Sequence, residues 1–167
     1  MNLQDILLIY DYNYWANKRI LTTSEKVSEK QFLAPASFPY GGLRGTLVHI
    51  LEWEHAWRMF IQQSNWSAPR LNGAELPTLA SIRIRADQEE QAMRTYLATL
   101  RNEDMDGHRR YTDENGEPRD RILWQCLYHV VNHGTQHRSE AAALLTDYGS
   151  SPGNLDFTVY LMETQKS

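Results

Sequence analysis

The chain has 167 residues, 41% of them hydrophobic, and a formal net charge of −4; that is enough for one domain with a sizeable core and argues against a nucleic-acid partner, which needs a basic face. No apolar run nears the roughly 18 to 20 residues of a membrane helix, and Met1-Asn2-Leu3-Gln4-Asp5 lacks the basic start and apolar stretch of a signal peptide. Cys126 is the only cysteine, so no disulfide forms within the chain and a cytoplasmic, reducing compartment is expected.

Residues 2–24 read as a first helix, with Leu3, Ile6, Leu7, Tyr10, Tyr14, Ala16, Ile20 and Leu21 near helical spacing. Pro35, Pro39, Gly41 and Gly42 mark a loop. A second helix over residues 43–63 carries the stripe Leu43, Leu47, Ile50, Leu51, Trp57 and Ile61, with His49 near its edge. Residues 64–77 form a loop. Thr78 is placed to cap a third helix over residues 79–101, whose apolar positions are Ile82, Ile84, Ala86, Met93, Tyr96, Leu97 and Leu100.

Asn115-Gly116 signals a tight turn, so a short hairpin is expected near residues 110–118. Asp120 is placed to cap a fourth helix over residues 121–148, which Gly149 ends. Residues 154–163 form a short terminal helix or a mixed segment. Arg83 with Arg85, and Arg109 with Arg110, read as solvated surface, and Cys126 as a small core residue. Trp15, Tyr14 and Trp53 are candidates to line a pocket, although rings at helical spacing are more often core. Four long amphipathic helices predict an all-α protein, a four-helix bundle with a short hairpin or loop before its last long helix and a short C-terminal segment.

The candidate chemistry lies in the fourth helix, where His129, His133 and His137 recur every four residues and share a face. Neighbours are about 6 Å apart along the axis and the outer two about 12 Å. Metal–nitrogen bonds are about 2 Å, so one ion can take His133 with His137, or His129 with His133, but not all three. A third ligand must come from another helix. His49 is the best candidate, because Thr46-Leu47-Val48-His49-Ile50-Leu51 leaves its imidazole poorly solvated without a partner. His55, among Glu54 and Arg58, and His108, in a polar loop, read as ordinary surface residues. The histidine pair is not a zincin motif, since Gly134 stands where that motif has its glutamate.

Three stretches resemble the DinB-like family of metal-binding helical bundles, sometimes grouped with YfiT-like metal-dependent hydrolases. They are Tyr14-Trp15-Ala16-Asn17, Thr46-Leu47-Val48-His49-Ile50-Leu51 with Glu54 and Trp57, and Asn132-His133-Gly134-Thr135-Gln136-His137-Arg138. The resemblance spans nearly the whole chain. It implies one DinB-like domain over residues 1–167, an up-down bundle, one divalent ion on His49, His133 and His137, and a homodimer. It also implies thiol transfer or hydrolysis on a small molecule, although many members have no assigned reaction.

The family often continues His-Arg-Gly-Gln, whereas Ser139 and Glu140 follow Arg138 here. Glu140 shares the face of His137. It can orient that ring, accept a proton or become a fourth ligand; the plain alternative is a pairing with an exposed Arg. His129 is the other candidate to support the ligands, while Asn132 and Arg138 project around the helix. Zinc or nickel fits three imidazoles foremost, and iron or copper is compatible. The enzyme reading expects a small-molecule substrate or thiol and an open position on the ion. The alternative is a non-catalytic stress-response module that sequesters an ion or ligand in a closed shell.

Overall fold

The computed structural model describes residues 1–37, 40–66, 69–113 and 115–164. Pro39, one of the expected loop breakers, lies outside them. The described chain is mostly helical: α1 (Leu3–Ser24), α2 (Glu29–Phe32), α3 (Leu43–Gln63), α4 (Leu79–Leu97), α5 (Leu123–Asp147) and α6 (Phe157–Thr164). Between α4 and α5, β1 (His108–Thr112) and β2 (Pro118–Ile122) form an antiparallel hairpin. No helix among the described residues is long and apolar enough to cross a membrane.

Local chemistry explains most boundaries. A capping box of Asn2 with Asp5 starts α1, and one of Thr78 with Ser81 starts α4. The short α2 was not expected, yet Ser28-Glu29-Lys30-Gln31 is a capping-box pattern and closes as one. Helix α4 stops at Leu97, four residues before its expected end: the Thr99 hydroxyl donates to the Tyr96 carbonyl, and a 3-10 turn follows at Asn102–Asp104. Gly149, at φ +81°, ends the last long helix as expected.

Asp120 does not cap α5. It sits in β2 opposite Arg110 and accepts from that side chain, 2.6 Å from the His108 ring as well. Backbone carbonyls fill the capping role: Leu123 N–H donates to Gly107 (2.8 Å) and Trp124 N–H to Met105 (3.0 Å). The hairpin thereby fixes where α5 begins, and so the level of its histidines.

Helices α1 and α3 both pack on α5, and α4 packs on α3 and α1. One core cluster gathers Ile6, Tyr10, Phe60, Met93 and Leu127; the other gathers Ile20, Leu43, Leu47, Ile82 and Leu145. Each large side chain so buried contributes about 1.5–3 kcal/mol. Ile84, expected in this core, is 61% exposed on the outer side of α4. Trp15 packs on Tyr160 of α6 and donates to Glu163.

Charged residues also enter the interior. Glu89 of α4 is 1% exposed and accepts from Arg58 of α3 and Arg85 of α4, with a His55 ring nitrogen 3.0 Å away. His55 and Arg85 therefore belong to a buried ionic joint, not to the solvated surface expected of them. Arg109 likewise donates to the Ile61 carbonyl. His108 and Arg110 do remain exposed. Cys126 is a buried core residue whose thiol burial pushes up to about 11, so it is no thiolate near neutrality.

Candidate metal centre

Helix α3 supplies His49, and α5 supplies His133 and His137 one turn apart. Where the two helices pack, ligand atoms of the three rings lie within 4.8 Å of one another, a group that can hold a metal ion. Nε2 of His49 and Nε2 of His133 are 3.2 Å apart. Two nitrogens about 2.1 Å from a tetrahedral ion would be about 3.4 Å apart, so the free rings already stand at nearly a bound spacing.

Two of the rings are held in the right protonation state. Burial, then the charge of His137, pushes His49 down to about 4. Burial, then His137 and His49, pushes His133 down to about 3. Both are neutral at pH 7 and offer lone pairs without first losing a proton. Nδ1 of His137 is 2.9 Å from the Glu140 carboxylate. That contact fixes the ring and leaves Nε2 of His137 for a ligand.

His129 lies further out. It is exposed, with its ring 5.9 Å from His133 and 4.6 Å from Trp57, and no hydrogen bond joins it to the other histidines. Tyr40 went unnoticed in the sequence. Its ring stacks on His49 at 3.4 Å and meets His137 edge-on at 5.1 Å. The enabling signal is the run of glycines after it: Gly41 and Gly42 adopt φ of +74° and +131°, and a Cβ on Gly45 would lie 1.8 Å from the Tyr40 carbonyl oxygen. Trp53 borders the opposite side, 6.1 Å from His49 and 6.2 Å from His133.

A polar layer backs these ligand candidates. Arg138 is 2% exposed, on a side of α5 turned away from the three rings. Its guanidinium donates to Asn13, Asn17 and Thr135. Gly134 makes room for it, since a Cβ there would lie 2.7 Å from an Arg138 terminal nitrogen and 3.2 Å from Asn13 Oδ1. Tyr14 donates to Glu54 at 2.7 Å, and both residues line a cavity of about 30 Å³ with Asn17 and Arg138.

A family model described as the DinB family matches residues 1–167. The chain belongs to the DinB family. It is also 21% identical over 161 residues, 94% of either chain, to "Protein DinB" of Bacillus subtilis (strain 168). In this DinB family member the three stretches that carried the resemblance meet in space. Tyr14 and Asn17 hold Glu54 and Arg138, and Arg138 directly follows His137 on α5.

Glu54 gives a pH-dependent expectation. Burial pushes its carboxyl from 4.5 up to about 7, although the Tyr14 hydrogen bond pulls the other way. Between those values the folded chain keeps a proton that the unfolded chain has lost. Stability therefore falls as pH rises through that window and levels off above it, by about 3 kcal/mol in full. In urea unfolding, Glu54→Gln should exceed the parent by up to about that amount at pH 8 and match it at pH 4.5.

Proposed function

We propose that the protein is a metal-dependent enzyme acting on a small molecule, of thiol S-transferase or hydrolase type, with His49, His133 and His137 as ligands of one divalent ion. Zinc or nickel is the foremost ion. In this reading the chain is a single domain, an up-down four-helix bundle, and forms a homodimer as the family resemblance implies. The packing of α1, α3, α4 and α5, each against two of the others, supports the bundle.

The observation that carries the reading is the convergence of three histidines from two helices to within 4.8 Å. Three neutral imidazoles leave a bound divalent ion its full charge and an open position, with which it lowers the pKa of water or holds a thiol as thiolate. The chain's own residues serve that chemistry by placement. Glu140 sets the His137 ring. Tyr40 on His49 and Trp53 beside His133 shield the donors from water.

The enzyme reading is favoured over the non-catalytic module by two observations. Glu140 is occupied on Nδ1 of His137 instead of pointing its carboxylate at the shared centre. A cleft of about 420 Å³, a size suited to small molecules, is lined in part by Trp53, whose ring lies 6.1 Å from that of His49 and 6.2 Å from that of His133. The test is elemental analysis of protein purified without chelator or affinity histidines, followed by assays with thiol–electrophile pairs and activated esters. One ion per chain and turnover lost on chelation is the expected result. Metal without turnover in either assay would favour the sequestering module, and absence of metal would sink both.

A further inference from the structure

Trp53 has two neighbourhoods. One side borders His49 and His133; the other forms part of the 420 Å³ cleft, with Trp66, Arg70, Tyr111 and Asp113. The rings of that cleft are held in place. Trp66 stacks on Phe60 at 4.4 Å and meets Trp57 at 5.0 Å, and Tyr111 packs against Phe60 at 4.9 Å. They present a fixed aromatic wall that needs little ordering when a ligand arrives.

The charges of the cleft are unequal. Arg70 is exposed, its guanidinium 4.8 Å from the Trp53 ring centroid. It makes no ion pair or hydrogen bond with any described residue. Its planar fork is thus oriented by stacking while its donors stay free. Asp113, the one carboxylate among the described residues that line the cleft, is already engaged by Arg119 and by the backbone N–H groups of Asn115 and Glu117. It neither neutralises Arg70 nor offers a cation a free partner. Aromatic walls with one unspent guanidinium suit a flat molecule bearing a carboxylate, which Arg binds in two-pronged fashion.

We propose that this cleft binds a small aromatic carboxylate, with Arg70 taking the carboxylate and Trp53, Trp66 and Tyr111 the ring. The inference rests on the metal-centre reading in one respect only: Trp53 is shared, so the bound molecule would lie against a ring that borders His49 and His133.

Calorimetric titration with 2-naphthoate tests it, using the full chain, Arg70→Ala, Arg70→Lys and Trp66→Ala. 2-Naphthamide serves as the uncharged control and acetate as the ringless one. The parent should bind 2-naphthoate, and Arg70→Ala should weaken it about tenfold or more. Arg70→Lys should fall between them, because a lysine keeps the charge and loses the fork. Trp66→Ala should also weaken it. The amide should bind at least about tenfold more weakly and be indifferent to Arg70→Ala. Equal affinity of Arg70→Ala for 2-naphthoate, equal binding of the amide, or equal binding of acetate overturns the proposal. Metal content measured on the same samples separates the two readings. Arg70-dependent binding in a chain that holds no metal sinks the metal centre alone; a metal-loaded chain that does not bind 2-naphthoate sinks the cleft alone.

Discussion

Purified without chelators, His49→Ala, His133→Ala and His137→Ala should each retain less than about a tenth of the parent's metal while keeping its helical circular dichroism. Four-ligand structural zinc sites bind with roughly 10–16 kcal/mol, so one ligand carries on the order of 3 kcal/mol, about two decades of affinity. The fold should tolerate the change for a local reason. These rings stand where α3 packs on α5, and trimming one leaves the residues of both hydrophobic core clusters in place. Glu140→Gln should lose less, about tenfold in affinity against about a hundredfold, because it perturbs a ring's orientation and leaves all three donors in place. Full metal retention by His49→Ala would break the proposed centre, since the two α5 rings alone would then account for the ion.

The gap between that site and its sequence signature is instructive. His49 was legible because an imidazole among Leu47, Val48, Ile50 and Leu51 has few ways to be satisfied. Spacing did not distinguish His133 with His137 from His129 with His133, because helical period treats the pairs alike. What separates them is the height at which α3 crosses α5, and the hairpin and Met105 set that height through backbone bonds. Tyr40 was invisible for a different reason. Its place over His49 depends on two positive-φ glycines and a missing Cβ at Gly45, which together turn a loop back on a helix.

The buried charges share one physical origin. His55 and Arg85, read as surface, have polar neighbours in sequence and so look like part of a solvated face, and nothing local marks Arg138 or Glu89 as buried. Burial of Arg138 is decided by Asn13 and Asn17, more than a hundred residues away, and by the space Gly134 leaves. Burial of Glu89 is decided by Arg58 and His55 on another helix. Long helices themselves were readable to within a few residues, since caps and apolar period are local. Polar groups that enter a core are not, because their partners are remote.

The Glu89 joint yields the largest expected loss of stability. Glu89→Ala should cost about 3–5 kcal/mol in urea unfolding at pH 7, the usual result of removing one partner from a buried pair. Arg58 is 8% exposed, and without the carboxylate it would keep no anionic partner there, only the Gln62 side-chain oxygen, the Met59 sulfur and a His55 ring nitrogen. The pH response has a definite sign. Burial alone would raise the Glu89 carboxyl, but hydrogen bonds from His55 and Arg58 outweigh it and hold the group at about 2, below its ordinary 4.5. A carboxyl depressed on folding stabilises fully above the unfolded value and loses that contribution as pH falls from about 4.5 toward 2. Acid should therefore narrow the difference between the parent and Glu89→Ala. Replacing both partners, Arg58→Met with Glu89→Met, should restore much of the loss, because paired charges in a core rarely outdo well-packed apolar groups of similar volume. A double variant as weak as Glu89→Ala would mean that this joint sets how α3 packs on α4, and metal content would then fall with it, since His49 rides on α3.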